Sequence, residues 1–316
     1  MPILATLCLL LVGVQPINAS ISPDPPRVTH HMISQSSMSP YQSSPEKRLT
    51  SYDIEYANVD NKSLRLDLRV PEGEGPHPLI VWIHGGGWMR GSKSIDQNHP
   101  VLRQLDRGYA LASINYRLSR EAIFPAQIHD CKAAIRWLRG NAGKYRLDHN
   151  RIAVWGASAG GHLAALLGTS GGNAELEDLS MGNAGVSSRV QAVVDWFGPS
   201  DFLKMGGKHN KSQSPESLLL GCSIRTCPER AAIANPINYI TKNDPPFFIQ
   251  HGSADRTVPV NQSELLYEAL ANAGVQATYS PIQGVGHSLS HFQETVNLTQ
   301  VEQFLDQTVG IKLPGE

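Results

Sequence analysis

After residue 50 the chain changes between two rhythms. "SYDIEYANV" (51–59) and "LRLDLRV" (64–70) alternate apolar and polar residues, the period of strands with one covered face. "PLIVWIHG" (78–85) and "YALASINY" (109–116) are continuous apolar runs, suited to strands covered on both faces. From Pro125 to Asn141 the spacing turns helical: Ile128, Cys131, Ile135 and Leu138 share one face. "RIAVWG" (151–156) reads as a strand and "AGGHLAALLG" (159–168) as a helix closed by Gly168. "VQAVVDWFG" (190–198), "PFFIQHGS" (246–253) and "QATYSPIQG" (276–284) read as later strands, with helices over 259–273 and 292–308. Strands alternating with helices predict an α/β fold, a mostly parallel sheet flanked by helices on both faces. The first two strands are predicted to form an antiparallel edge.

The first 50 residues do not share this rhythm. "ILATLCLLLVGV" (3–14) is apolar but too short to cross a bilayer comfortably, and it ends at "QPINAS". The small residue Ala19 marks a cleavage point, so 1–19 is predicted to be a signal peptide and the protein secreted or periplasmic. Residues 20–50 are Ser/Pro-rich and too poor in aliphatic residues to offset their ordering entropy, which predicts a linker or loose tail. One domain over 51–312 remains.

Net charge is −1 and no run of basic residues occurs, which argues against a nucleic-acid partner. No stable membrane span is expected. His30 and His31 lack a third ligand at useful spacing, so no metal is predicted. In an exported chain Cys222 and Cys227 are natural disulfide partners, while Cys8 leaves with the signal and Cys131 faces the core as an inert thiol. Beyond the expected signal, four Asn-x-Ser/Thr sites occur, at Asn61, Asn210, Asn261 and Asn297.

Candidate chemistry begins at "WGASAGGH" (155–162). A lone G-x-S-x-G decides little. Here, however, the serine falls between a buried strand and a helix, the setting of a strained turn that lifts a hydroxyl out of the sheet. Ser158 is the candidate nucleophile. It needs a base, and the base needs an orienting acid. Sites of open parallel sheets gather beyond the carboxyl ends of strands. "HGSADRTVP" puts Asp255 there and "QGVGHSLSHF" puts His287 in the next such loop. His251 and His291 compete as the base, and Asp195 and Asp201 as the acid; Asp130 is expected to pair with Arg117 instead. Attack on a carbonyl also needs N–H donors for the developing oxyanion. "HGGGW" (84–88) follows a buried strand and offers Gly86 and Gly87, to be joined by Ala159 after the serine. His84 is read as fixing that loop. Trp88, Trp196 and Phe197 stand near strand ends, with Trp88 and Trp196 the candidate substrate-binding residues.

"HGGGWMRGSK", "INYRLSREAIFPAQIHDCKAAIRWLRGNA", "RIAVWGASAGGHLAALLG" and "HGSADRTVP" together resemble the α/β-hydrolase superfamily over roughly residues 50–310. They are most similar to HGGG-bearing esterases of the hormone-sensitive-lipase type, and among these to bacterial feruloyl and acetyl-xylan esterases. The resemblance implies an α/β-hydrolase fold and a serine carboxylesterase without a cofactor. By motif match it places Ser158, Asp255 and His287 in the catalytic triad and Gly86, Gly87 and Ala159 in the oxyanion hole. It implies short-chain or aromatic esters, acetyl or feruloyl in type, either small or linked to polysaccharide. Two departures stand out: Ala157 replaces the Asp that often precedes the serine, and residues 20–50 are too polar for the N-terminal helical cap of many relatives. A lid-like insertion is expected at about 203–243, stiffened by the cysteine pair. An arylformamidase or another amide-cleaving hydrolase is the nearest rival, and a non-catalytic binding protein the more distant one. A histidine base predicts activity that falls on the acid side of neutrality.

Overall fold

The computed structural model describes residues 49–310. The expected signal segment, His30, His31 and nearly all of the Ser/Pro-rich stretch lie outside them. In chain order the elements are β1 (Leu49–Val59), β2 (Lys62–Val70), β3 (His77–Ile83), α1 (Arg103–Asp106), β4 (Ala110–Ile114), α2 (Ala126–Gly140), β5 (Leu147–Ala157) and α3 (Ala159–Thr169). They continue with β6 (Ala192–Trp196), α4 (Pro215–Leu220), α5 (Pro228–Ala234), β7 (Phe247–Gly252), α6 (Asn261–Asn272), β8 (Ala277–Ile282), α7 (Leu289–Phe292) and α8 (Thr295–Val309). Each predicted strand and helix is present. The helix read over 292–308 is α8, preceded by the single turn α7.

Among the described residues the strands form one sheet in the order β1-β2-β4-β3-β5-β6-β7-β8. β2 pairs antiparallel with both β1 and β4, and the other neighbours are parallel. The alternating strands thus supply the antiparallel edge, and the continuous apolar runs occupy the middle.

Period-two alternation divides the core in two. Leu79, Val81 and Ile83 of β3 pack on one face with Ile128 and Ile135 of α2, Leu163 and Leu166 of α3, and Leu266 of α6. Ile80 and Trp82 of the same strand face the other way, with Leu105 of α1 and Val301 and Leu305 of α8. Burying each such side chain contributes about 1.5–3 kcal/mol, which is why helices must cover both faces.

α2 also carries a buried charge. Asp130 is fully buried and accepts from Arg117 Nε at 3.0 and 2.9 Å, from Nη2 at 2.6 Å and from the Arg117 backbone N–H at 2.7 Å. That set of donors satisfies the carboxylate in a place where an unpaired one would not survive. Asp130 therefore fixes the chain between β4 and α2.

The connection from β6 to β7 holds the residues of the expected insertion. It contains short 3-10 turns, α4, α5 and the Cys222–Cys227 disulfide between them. Ser214 caps α4 by accepting from the N–H of Ser217 at 3.1 Å, and Gly221 ends that helix in a left-handed conformation. Cys131 is free and buried.

Candidate active site

β5 runs directly into α3, and Ser158 is the residue between them. Its φ of 57° and ψ of −122° are strained for a residue with a side chain, at a cost of about 1–3 kcal/mol. The turn is held from both sides. The Ser158 N–H donates to Trp196 O at 2.8 Å, and its carbonyl accepts from the His162 N–H at 3.0 Å. Two glycines permit it: a Cβ on Gly156 would collide with the Gly160 carbonyl, and one on Gly160 with the Ile83 carbonyl. The small residues flanking the serine are thus required by close backbone approach.

Ser158 Oγ lies 3.0 Å from Nε2 of His287, and Nδ1 of His287 lies 2.6 Å from Oδ2 of Asp255. The carboxylate accepts a hydrogen bond from Nδ1–H, which leaves Nε2 to present its lone pair to the serine hydroxyl. The other oxygen of Asp255 accepts from the N–H groups of Thr257 at 2.7 Å and Val258 at 3.0 Å. Burial would raise the Asp255 carboxyl, but hydrogen bonds from His251 and His287 overcome it and hold the group well below the usual carboxylate range. The acid therefore stays ionised beside the imidazole.

The competing residues occupy other roles. His251 is fully buried; its Nδ1 meets Ser263 Oγ at 2.7 Å, and its Nε2 meets Val258 O at 3.1 Å and Asp255 Oδ2 at 3.3 Å. It supports the acid from behind. His291 is exposed and pairs with Glu294 at 2.7 Å. Asp201 caps a turn through the Leu203 N–H and binds Asn235. Asp195 is fully buried beneath α3, accepts from the Gly198 N–H at 2.9 Å, and is pushed up to about 6 by that burial.

The glycine loop after β3 lies over the elbow. Gly86 and Gly87 take positive φ values of 110° and 62° and line a cavity of about 870 Å³ together with Ser158 and His287. That volume is within the roughly 300–1,000 Å³ of small-molecule sites. Ala159 is buried at the start of α3, where a helix leaves its first N–H groups without intrahelical partners. His84 behaves as a brace. It stacks on Tyr116 at 4.3 Å, its Nδ1 donates to Gly85 O at 2.7 Å, and burial lowers it to about 4.

The aromatic candidates divide. Trp88 lines the cavity with little of its surface exposed. Trp196 does not. It is fully buried on the opposite face of the sheet, packed on Trp82 and Trp155, with its N–H donated to Gln250 Oε1 at 2.8 Å. Its assignment to substrate binding is corrected: Trp82, Trp155 and Phe292 cover it, and it does not line the cavity. Phe197, the next residue, faces the cavity and packs edge-on against His287 at 4.7 Å. Trp88, Ser158 and Phe197 all have positive φ, at the ends of three adjacent strands. Such strain gathers where the fold holds side chains for function.

Three features escaped the sequence reading. His162 accepts from Trp88 Nε1 at 3.3 Å and donates through Nε2 to Ala234 O at 2.7 Å. It therefore ties the glycine loop, the elbow helix and the β6–β7 connection together. Trp82 and His99 line the cavity as well. So do residues of the β6–β7 connection, among them His209 and Glu216. No periodicity marks that connection, so nothing short of tertiary packing could have placed them.

The BD-FAE family model matches residues 66–270, more than half of the chain. The chain belongs to the BD-FAE family. Among curated proteins this family member is 36% identical over 217 residues to "Esterase LipC" of Mycobacterium tuberculosis, a match covering 67% of this chain and 53% of that protein. The chain thus spans about half the length of the curated relatives it matches first. Among solved structures it is similar to "Truncated form of carbohydrate esterase from gut microbiota", with a TM-score of 0.75 and 35% identity. That match covers 82% of this chain and 95% of the other. An acetyl ester-xyloside bifunctional hydrolase from Caldicellulosiruptor lactoaceticus gives a TM-score of 0.69 at 25% identity, covering 81% and 95%. The BD-FAE chain has the α/β-hydrolase fold that its motifs imply.

Proposed function

We propose that this BD-FAE protein is a serine carboxylesterase acting on short-chain or aromatic esters, acetyl or feruloyl in type, either small or attached to polysaccharide. The observation that carries the reading is the hydrogen-bonded chain Ser158–His287–Asp255 opening into the cavity beside the glycine loop. His287 takes the proton of Ser158 as its oxygen attacks the ester carbonyl. The N–H groups of Gly86, Gly87 and Ala159 receive the oxyanion. The C–O bond to the alcohol breaks and His287 returns the proton to the departing oxygen. Water then attacks the acyl-serine by the same route and releases the acid. The esterase relatives and the carbohydrate esterase structures support this reading.

We also propose export, with 1–19 as the signal. The Cys222–Cys227 disulfide supports an oxidising destination. Among the described residues no helix is long and apolar enough to cross a membrane.

The test is hydrolysis of p-nitrophenyl esters from acetyl to palmitoyl, methyl ferulate and an arylformamide, by the native chain and Ser158→Ala. Short esters or ferulate should be cleaved by the first and not by the second. Turnover of the formamide alone would replace the reading with an amidase. Activity that survives in Ser158→Ala would remove Ser158 from the chemistry.

A further inference from the structure

The cavity has a wall that the ester chemistry does not use. The β6–β7 connection contributes Lys208, His209, Lys211 and Glu216 to it. This wall lies against the glycine loop: a Cβ on Gly87 would stand 3.3 Å from Pro215 Cβ. Glu216 follows Pro215 in the first turn of α4 and is only 3% exposed. Its Oε1 is 2.9 Å from His209 Nδ1, and His209 is itself 6% exposed. Its Oε2 is buried and has no hydrogen-bond partner among the described residues. Other buried polar side-chain atoms lack partners too, but Glu216 alone among those residues lines this cavity.

A buried carboxyl oxygen without a donor is costly, and native folds rarely keep one without a use. The missing partner must therefore be a hydrogen-bond donor. An ammonium group is a poor candidate, because Arg90, Lys208 and Lys211 line the same cavity and would repel it. A hydroxyl is a donor without charge. The geometry points to Glu216, held by His209, as a hydroxyl-accepting subsite that selects esters carrying a free hydroxyl near the scissile bond. This rests on the esterase reading and narrows its substrate class. The hydroxyl belongs either to a sugar ring on the alcohol side or to a phenol on the acyl side, and the experiment separates these two sources.

Two substrate pairs differ in hydroxyls: a methyl O-acetyl-xyloside against cyclohexyl acetate, and methyl ferulate against methyl 3-methoxycinnamate. The native protein should prefer the hydroxylated member of one pair by about tenfold or more in kcat/KM, mostly through KM. The pair that shows the preference identifies the source. In Glu216→Gln that ratio should collapse to within about threefold, whatever change the two substrates share. Glu216→Asp, which withdraws the carboxyl by one methylene, should lose the same preference and serves if the first variant does not fold. A purely structural Glu216 would slow both members alike and leave the ratio intact, overturning the inference. Absence of a preference in both pairs would overturn it as well. If the native protein cleaves none of the four and none of the p-nitrophenyl esters, the esterase reading falls and takes the subsite with it; cleavage of p-nitrophenyl esters alone overturns the subsite and leaves that reading standing.

Discussion

His251 and His287 reach the same oxygen of Asp255. Nε2 of the first lies 3.3 Å and Nδ1 of the second 2.6 Å from Oδ2. His251 is buried, and its Nδ1 is engaged by Ser263. Removing its donation leaves more negative charge on Asp255 for His287 alone. His251→Phe should therefore shift the acid limb of kcat/KM to higher pH and lower kcat about tenfold, while His251→Gln, which keeps a donor, should lie between. A pH profile that superimposes on that of the native protein would show that His251 only fills space.

Gly160 bears the closest approach in the elbow. Its missing Cβ makes room for the Ile83 carbonyl, so the loop after β3 and the start of α3 touch there. Gly160→Ala should cost about 1–3 kcal/mol by overpacking and reduce kcat more than it raises KM, because Ser158 and the oxyanion donors move apart. Denaturant unfolding and steady-state kinetics check both halves. Wild-type kcat in a stable Gly160→Ala protein would contradict the close-packed elbow.

Asp195 makes stability depend on pH. Burial raises its folded pKa to about 6, from 3.8 for an ordinary aspartate. The folded state thus favours the proton, and the stability this brings is complete below about pH 4 and lost as pH rises through about 6. Asp195→Asn has no such proton to lose. Relative to the native chain it should gain stability between pH 4 and 6, on the order of 3 kcal/mol. Urea melts of both proteins at pH 4, 5, 6 and 7 measure the difference directly; a constant offset would show that Asp195 does not titrate there.

His162 acts in the opposite sense. Burial lowers it to about 4, and its Nδ1 must accept from Trp88 while Nε2 donates to Ala234. Protonation would set N–H against N–H. The folded state favours the neutral ring, so its contribution is complete above the ordinary value of 6.5 and lost as pH falls through about 4. Acid should weaken the native chain over that window, and His162→Gln should flatten the slope by an amount on the order of 3 kcal/mol across it. Equal slopes in the two proteins would place the acid sensitivity elsewhere.

Much of this site is legible in the sequence because strand ends are legible. The apolar runs locate β3, β5, β7 and β8, and Gly86, Ser158, Asp255 and His287 stand at or just beyond the carboxyl ends of β3, β5, β7 and β8 in turn. The place of Trp196 is not legible in this way. Trp196 and Phe197 join the same core, and only packing among Trp82, Trp155 and Phe292 keeps the first out of the cavity, which a position near a strand end does not reveal. The pair His209–Glu216 was not legible because nothing local couples residues seven apart across a turn and a helix start. Nor was the link from Trp88 through His162 to Ala234, which spans three distant segments. Periodicity reports which face a residue takes, whereas such links depend on where whole segments dock.

The cavity draws its reacting groups and its far wall from separate stretches of the gene. Ser158, Asp255 and His287 belong to the strand frame, while Lys208 to Glu216 belong to one connection whose ends are fixed by β6 and β7. His162 ties that connection to α3 at Ala234, and the Leu219 carbonyl ties it to the Phe124 N–H before α2, so the wall is docked on the frame at points outside Lys208 to Glu216. The groups that react and the wall that encloses are thus carried by different parts of the fold, joined at a few fixed points.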